Sequence, residues 1–259
     1  MAARPLVLVL DGEIGAGKTT LLELLGREFA NRGHSVAVVA EPVDRWKRVG
    51  ILQDFYGGGT ETERARTAYA FQTYVFVTRV EEALRVAEDT PAADIVLLER
   101  SVMTDRHVFV ELSRELLGPQ QVEMYEAWWH MWQRVMPYRP NVFIYLKPSL
   151  DLCMARVEAR AREGEVDGDG KASGGASARG GVSVEYQARL RRAHEAYLQQ
   201  QHLDEFPGMP PPGPGRDVLV LEGALADDDF SRDEAAAQRV LRAVFRHLDL
   251  DFGGGLAPP

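Results

Sequence analysis

The sequence predicts an α/β fold in which a five-stranded parallel sheet is flanked by helices. Three observations carry this expectation. Short continuous apolar runs, typical of strands buried on both faces, recur along the chain. Longer stretches with helical periodicity separate them, and strands alternating with helices pair in parallel through right-handed crossovers. The most conspicuous polar groups (a Gly-rich turn, Glu41, Glu99 and Arg100) fall just past the carboxyl ends of the apolar runs. Open α/β sheets bind their ligands there.

The elements follow in order. Residues 6–10 (LVLVL) form the first strand, and the Gly-rich turn 11–17 follows it. Residues 18–32 read as a helix, with Leu21, Leu22, Leu25 and Phe29 on one side and Gly33 just past its end. Residues 35–40 (SVAVVA) are the second strand and 67–88 a long helix. Residues 95–98 are the third strand, leading into Glu99, Arg100 and Ser101. A helix over 120–136 is closed by Pro137, and 142–146 (VFIYL) is the fourth strand. Helices over 150–162 and 184–200, a fifth strand over 218–221 and a last helix over 233–248 complete the pattern. In the aromatic cluster of the 120–136 helix, Tyr125, Trp128 and Trp132 fall on one stripe, which suits packing or a subunit interface.

A length of 259 residues suits one such domain, taken as residues 1–251, with a disordered tail over 252–259. Residues 163–181 (EGEVDGDGKASGGASARGG) are too poor in apolar groups to build a core and read as a flexible insertion. Residues 206–215 (FPGMPPPGPG) read as a Pro/Gly connector. The apolar share of 45% and charged share of 27% are those of a soluble globular protein. A formal net charge of −9 argues against a nucleic-acid polymer as partner, because an acidic chain gains nothing from counterion release. The single cysteine, Cys153, rules out an intrachain disulfide and a Cys-built zinc site. The first apolar run is too short for a signal segment or a membrane span, so no membrane partner and a cytoplasmic location are expected.

The strongest motif is Gly12-Glu13-Ile14-Gly15-Ala16-Gly17-Lys18-Thr19, followed by Thr20. It satisfies G-x-x-x-x-G-K-[ST] and sits between a strand and a helix, the context a phosphate-binding loop requires. Its glycines let backbone N–H groups converge on phosphate oxygens, and the helix that follows adds a positive dipole end. Lys18 supplies a point charge for the outer phosphates, and the Thr19 hydroxyl can ligate Mg2+. ATP, or another nucleoside triphosphate, is the ligand this loop implies.

Transfer of a phosphoryl group to a hydroxyl also needs a base, cations on the moving group and a pocket for the acceptor. Glu41 directly follows the second strand and is placed to act as a general base, the alternative being a solvated loop acid. Glu99 suits Mg2+ or its waters and Arg100 an acceptor or phosphate oxygen; the alternative is a structural ion pair. Arg156, Arg160 and Arg162 precede the flexible insertion, as forked cations on a closing lid would, although a solvated basic helix end has the same spacing. The sequence therefore predicts a P-loop kinase with an Arg-bearing lid.

Six blocks in order carry a family likeness: GEIGAGKTT (12–20), EPVDRW (41–46), FQTYVFVTR (71–79), ERSVMTDRHVF (99–109), RVEARAR (156–162) and VEYQARL (184–190). Together they resemble the deoxynucleoside kinase family, over roughly residues 7–248. The resemblance implies ATP-dependent phosphorylation of the 5′-hydroxyl of deoxyribonucleosides, a salvage reaction, with Mg2+ and as a homodimer. It implies that Glu41 is the base, that Arg100 contacts the acceptor oxygen and that Glu99 assists the metal. Gln72 would bind the base edge beside a charged pair, Arg79 and Asp105; Trp46, Phe109, Val43 and Phe55 would wall the base. Tyr56 and Glu165 would hold the 3′-hydroxyl, and residues 224–230 would lie beside the donor's adenine.

The chain departs from the family pattern in three places. Extra residues lie between Tyr56 and Gln72, the Gly-rich insertion follows Glu165, and Glu13 stands where Asn is common. The Arg79–Asp105 pair resembles that of members that accept deoxycytidine and purine deoxynucleosides, and a C5 methyl would press on it, which disfavours thymidine; Val75, bulkier than usual in deoxycytidine kinases, pulls the other way. Two rivals remain at this stage. A thymidylate kinase would share the phosphate loop and a DR-containing segment, and a non-catalytic relative would share the fold. The EPV and ERS blocks favour a nucleoside acceptor, and the charged residues all being present favours an active enzyme.

Overall fold

The computed structural model describes residues 4–56, 60–166, 182–206 and 217–250. Five strands, β1 (Leu6–Asp11), β2 (Val36–Val39), β3 (Ile95–Glu99), β4 (Val142–Lys147) and β5 (Asp217–Glu222), form one sheet in the order β2-β3-β1-β4-β5. Every pairing is parallel. β1 is central: Leu8 pairs with Leu97 on one side and Val142 on the other. The crevice past its carboxyl end is flanked by β3 and β4, where the connections leave in opposite directions.

The alternation within β1 builds two cores. Leu8 and Leu10 face α1 (Lys18–Asn31) and α10 (Glu234–His247), meeting Leu21, Leu25, Phe29, Val240 and Phe245. The Phe29 and Phe245 rings stack with centroids 4.9 Å apart. Val7 and Val9 face the opposite layer, where α4 (Glu61–Asp89) and α8 (Val184–His194) contribute Ala83, Val86, Leu190 and Ala193. A third cluster of Trp46, Phe55, Phe71, Phe76, Tyr125 and Trp129 lies off the sheet. It joins α2 (Val43–Val49), α3 (Ile51–Tyr56), α4 and α6 (Pro119–Gln133).

Several boundaries differ from those the sequence suggests. α4 starts at Glu61, six residues before the expected 67, on a capping box in which Thr60 accepts from the Glu63 N–H and the Glu63 side chain reaches back. Part of the extra sequence after Tyr56 is thus a helix start. α2 and α3 are too short to show a periodic apolar stripe; Gly50, at φ 83°, separates them. The expected helix over 184–200 ends at His194 and continues as a π-turn over Glu195–Gln199. Another π-turn, Asp105–Val110, follows the short α5 (Val102–Thr104). In α6, Tyr125 and Trp129, four residues apart, are the buried pair, whereas Trp128 is 45% exposed. α7 (Leu150–Val166) continues four residues beyond 162. The remainder of the insertion, nearly all of the 206–215 connector and the 252–259 tail lie outside the described residues. α9 is a single turn, Ala224–Asp227. No helix among the described residues is long and apolar enough to cross a membrane.

Candidate active site

The loop between β1 and α1 wraps the amino end of α1. Gly12 (φ 146°) and Gly15 (φ 85°) take conformations that side chains disfavour. A Cβ on Gly12 would lie 2.3 Å from the Leu146 carbonyl oxygen and one on Gly15 2.5 Å from that of Cys153, so both positions require glycine. Several of the loop's carbonyls accept from side chains. Lys18 Nζ donates to the carbonyls of Gly12 (3.3 Å) and Glu13 (3.0 Å), and Arg100 Nη2 also reaches Gly12 at 3.0 Å. Arg156 Nη1 donates to the carbonyls of Ala16 (3.0 Å) and Gly15 (3.4 Å). Burial, followed by the Arg100 charge, lowers the Lys18 ammonium to about 8, against the pull of Glu99, Glu41 and Asp11.

Beside the loop, Glu41 is clamped by two guanidiniums. Its Oε1 accepts from Arg79 Nη2 and Arg100 Nη1, both at 2.8 Å, and its Oε2 accepts from Arg100 Nη1 at 2.9 Å. Burial alone would raise this carboxyl; Arg100, Arg79 and Lys18 outweigh burial and hold it down at about 2. Arg100 has φ 59°, a left-handed backbone that costs a non-glycine residue about 1–3 kcal/mol. Its N–H still donates to the Leu10 carbonyl at 2.9 Å, so the turn begins one residue past the β1–β3 ladder and throws the side chain over Gly12. The Thr19 hydroxyl donates to both Glu99 carboxylate oxygens at 3.1 Å. A hydroxyl and one carboxylate suit Mg2+, a hard cation that takes most of its ligands from phosphates and water. Among the described residues no group of three or more His, Cys, Asp or Glu could form an all-protein metal cage.

Arg79 extends the network away from the loop. Its Nη1 donates to the Glu99 carbonyl at 2.7 Å and its Nε to Asp105 Oδ2 at 2.8 Å. Burial pushes the Asp105 carboxyl up despite Arg79, and Asp105 Oδ1 has no hydrogen-bond partner. Gln72 Nε2 donates to Ser113 Oγ (2.8 Å) and the Phe109 carbonyl (3.3 Å), which leaves Gln72 Oε1 unpartnered and buried. The π-turn matters here, because it carries both Asp105 and Phe109 and widens the helix where they face α4. Trp46 is fixed by its indole N–H on Thr78 Oγ1 at 2.8 Å, and the Arg100 guanidinium lies 4.9 Å from the Phe109 ring centroid.

These groups line one cavity of about 790 Å3. Ile14, Gly15, Lys18, Thr19, Thr20 and Arg160 line it at the loop end, with Glu41, Glu99 and Arg100 at the middle. Val43, Trp46, Tyr56, Gln72, Val75, Arg79, Asp105 and Phe109 line the remainder. Phe55 stands one layer back, stacked on Phe71 at 4.4 Å, and Phe71 is the ring that reaches the cavity. Glu13 belongs to the loop by its backbone alone; its fully buried side chain accepts from Tyr145 Oη (3.0 Å) and Arg191 Nε (2.8 Å). The Arg162 and Glu165 side chains lie outside the described residues. The Tyr56 hydroxyl instead meets that of Tyr186, 3.0 Å away. Sequence reasoning passed over Phe71, Tyr186, Gln187 and Arg191 as individual site residues, although the first lies in the FQTYVFVTR block and the second and third in VEYQARL. Phe230, from the 224–230 segment, lies 3.4 Å from where a Gly17 Cβ would sit.

A family model described as deoxynucleoside kinase matches residues 8–249. The chain belongs to the deoxynucleoside kinase family. It is 26% identical to a probable deoxycytidine kinase of fowlpox virus, over 91% of this chain and 85% of that protein. It is 28% identical to the mitochondrial thymidine kinase 2 of Homo sapiens, over 83% of this chain and 70% of that one. With the deoxyguanosine kinase of Bacillus subtilis it shares 30% identity over 60% of this chain and 67% of the relative. As a deoxynucleoside kinase the chain is a phosphotransferase, with the five-stranded parallel sheet and helical layers of a P-loop kinase. The names of these relatives span three bases, so membership alone leaves base preference open.

Proposed function

We propose that this kinase transfers the γ-phosphoryl group of ATP, or of another nucleoside triphosphate, to the 5′-hydroxyl of a deoxynucleoside whose base carries an exocyclic amino group. Deoxycytidine and the purine deoxynucleosides meet that description and thymidine does not. The observation that carries the preference is the pair of unpartnered buried acceptors, Gln72 Oε1 and Asp105 Oδ1, on one cavity wall. A buried acceptor is costly unless a donor meets it, and an amino group supplies two N–H donors where thymine presents a carbonyl.

In this reading the loop residues Gly12–Thr20 hold the donor, and Lys18 leaves its own loop's carbonyls for the outer phosphates. Thr19 and Glu99 would hold Mg2+, which would supply charge neutralisation for the transferring phosphates. Glu41 accepts a hydrogen bond from the 5′-hydroxyl and aims its oxygen at the γ-phosphorus. A bond forms from that oxygen to phosphorus, the bond to the β–γ bridging oxygen breaks, and the hydroxyl proton passes to Glu41. Such transition states are loose, so the proton leaves late and a weakly basic carboxylate suffices. Arg100 spreads charge over the acceptor oxygen, while Arg156, Arg160 and Arg162 close over the phosphates and exclude water. Trp46, Val43, Val75, Phe109 and, through Phe71, Phe55 wall the base; Tyr56 and Glu165 hold the 3′-hydroxyl. We also assign a homodimer, supported by the exposed apolar residues Val77 on α4 and Met124, Trp128 and Met131 on α6. Sedimentation analysis tests it, a single monomeric species being the contrary result.

The decisive experiment measures ATP consumption with each of the four natural deoxynucleosides, then repeats it with Arg79→Met. The unmodified enzyme should favour deoxycytidine or a purine deoxynucleoside, and the variant should gain relative activity on thymidine. Thymidine as the best substrate of the unmodified enzyme would overturn the base assignment. Phosphorylation of thymidine monophosphate in preference to any nucleoside would overturn the acceptor assignment.

A further inference from the structure

Helix α8 begins two residues after Val182, which lines the cavity, and its side chains reach the donor loop. Gln187 is fully buried and pairs with the main chain of Ile14 in both directions: Oε1 accepts from the Ile14 N–H at 3.3 Å and Nε2 donates to the Ile14 carbonyl at 2.6 Å. One turn later, Arg191 Nε donates to Glu13 Oε1 at 2.8 Å, and Arg191 Nη2 donates to the Pro148 carbonyl. Tyr145, on β4, donates to the same Glu13 oxygen. Tyr186, next to Gln187, contacts Tyr56 of the acceptor pocket instead.

A loop that binds anions through its backbone must turn N–H groups inward and carbonyls outward. In a planar trans peptide the two point in opposite directions, so holding one fixes the other. Gln187 holds the Ile14 carbonyl and thereby sets the direction of the Gly15 N–H. Gly15 cannot hold itself, because glycine visits both halves of backbone space with little cost. Glu13 poses a second problem. It places a negative charge in a loop that receives phosphates, and Arg191 both neutralises that charge and keeps the side chain turned away from the cavity.

Building on the proposed function, we infer that Gln187 and Arg191 are positioning residues for the phosphate donor, acting through Ile14 and Glu13. Neither touches the donor. Each makes the loop's anion-binding shape the resting shape, so that binding does not bear the cost of ordering it.

The test is calorimetric titration of the full chain with ADP and Mg2+, alongside steady-state kinetics. Gln187→Leu and Arg191→Met should each raise the ADP Kd and the KM for ATP by about tenfold, the effect of losing one or two buried hydrogen bonds. The KM for the deoxynucleoside should stay within about twofold. Tyr186→Phe perturbs the same helix and should leave ADP affinity within about twofold, which separates donor positioning from general loosening of α8. Adding Glu13→Gln to Arg191→Met removes the uncompensated charge and should recover affinity to within about threefold of the unmodified chain. The inference fails if Gln187→Leu and Arg191→Met, folded by circular dichroism, bind ADP like the unmodified chain. It fails equally if Glu13→Gln gives no recovery, or if Gln187→Leu and the double variant do not fold under conditions where Tyr186→Phe does. An unmodified chain that does not bind ADP with Mg2+ would instead refute the proposed function.

Discussion

Replacing Glu41 by Gln keeps the side chain's shape and deletes its charge. The carboxylate takes hydrogen bonds at 2.8, 2.8 and 2.9 Å from two buried guanidiniums. Burial pushes its pKa up, but Arg100 and Arg79 pull harder and take it from 4.5 to about 2. That drop corresponds to about 3 kcal/mol of folding stability at neutral pH. Because the folded value is the depressed one, the contribution is complete above 4.5 and is lost as pH falls through 2. The variant should therefore be less stable by about 3 kcal/mol in urea unfolding at pH 7, with the gap narrowing in acid. Its turnover should fall by about 10²–10⁴, the range for losing a positioned general base. The same low value predicts no acid limb from Glu41 between pH 5 and 7 in the rate profile of the unmodified enzyme, as about 2 lies far below that range. Turnover within about threefold of the unmodified enzyme would refute Glu41 as the base. Low turnover with unchanged stability would refute the electrostatic account of how Glu41 is held.

Three further outcomes can be checked. Lys18, pushed down to about 8 by burial and then Arg100, must be charged to bind phosphates. Titration should show ADP affinity level below pH 8 and weakening toward about tenfold per pH unit above it; equal affinity at pH 7 and 9.5 would contradict this. Burial raises the Asp11 carboxyl to about 6, above its ordinary 3.8, so its ionisation in the fold opposes stability as pH rises through that interval. Asp11→Asn should accordingly stabilise the chain at pH 8, by up to about 3 kcal/mol in urea unfolding, with the gain gone below pH 3.8. Gly15→Ala would drive a Cβ to 2.5 Å from the Cys153 carbonyl oxygen at φ 85°. It should abolish measurable ADP binding by titration and lower the melting temperature, and retained affinity would show that the loop can shift.

The sheet was legible because each strand carries a short run of apolar residues, and in β1, β3 and β4 nearly all of that run is buried. The phosphate loop was legible because its glycines answer backbone constraints that Leu146 and Cys153 impose from outside the motif. Helices α2 and α3 were not, since six or seven residues hold too few turns for a periodic stripe. The π-turn at Asp105 leaves no mark in composition; it depends on packing against α4, as does the layer order that puts Phe71 rather than Phe55 at the cavity. The π-turn after His194 is equally silent. Glu13 had no account in the sequence, because its partners Tyr145 and Arg191 are more than a hundred residues away and only the fold brings them together.

Arg79 gives the network a property that no pairwise reading supplies. One guanidinium bonds Asp105, Glu41 and the carbonyl of Glu99, so it links the residues proposed for the base edge and for the reacting hydroxyl. In the proposed function, an amino group donating to Asp105 Oδ1 satisfies a buried acceptor that has no other partner. An Asp105 bonded at both oxygens holds Arg79 more firmly, and a firmly held Arg79 keeps Glu41 aligned for the 5′-hydroxyl. A base lacking that donor leaves Asp105 Oδ1 unsatisfied and the shared guanidinium less constrained. Discrimination against thymidine should then appear in kcat as well as in KM, because the wrong base loosens the catalytic carboxylate as well as the base pocket. Asp105→Asn should shrink the kcat part of that discrimination while leaving Glu41 and Arg100 in place; a selectivity confined to KM in the unmodified enzyme would show that the two ends of Arg79 act independently.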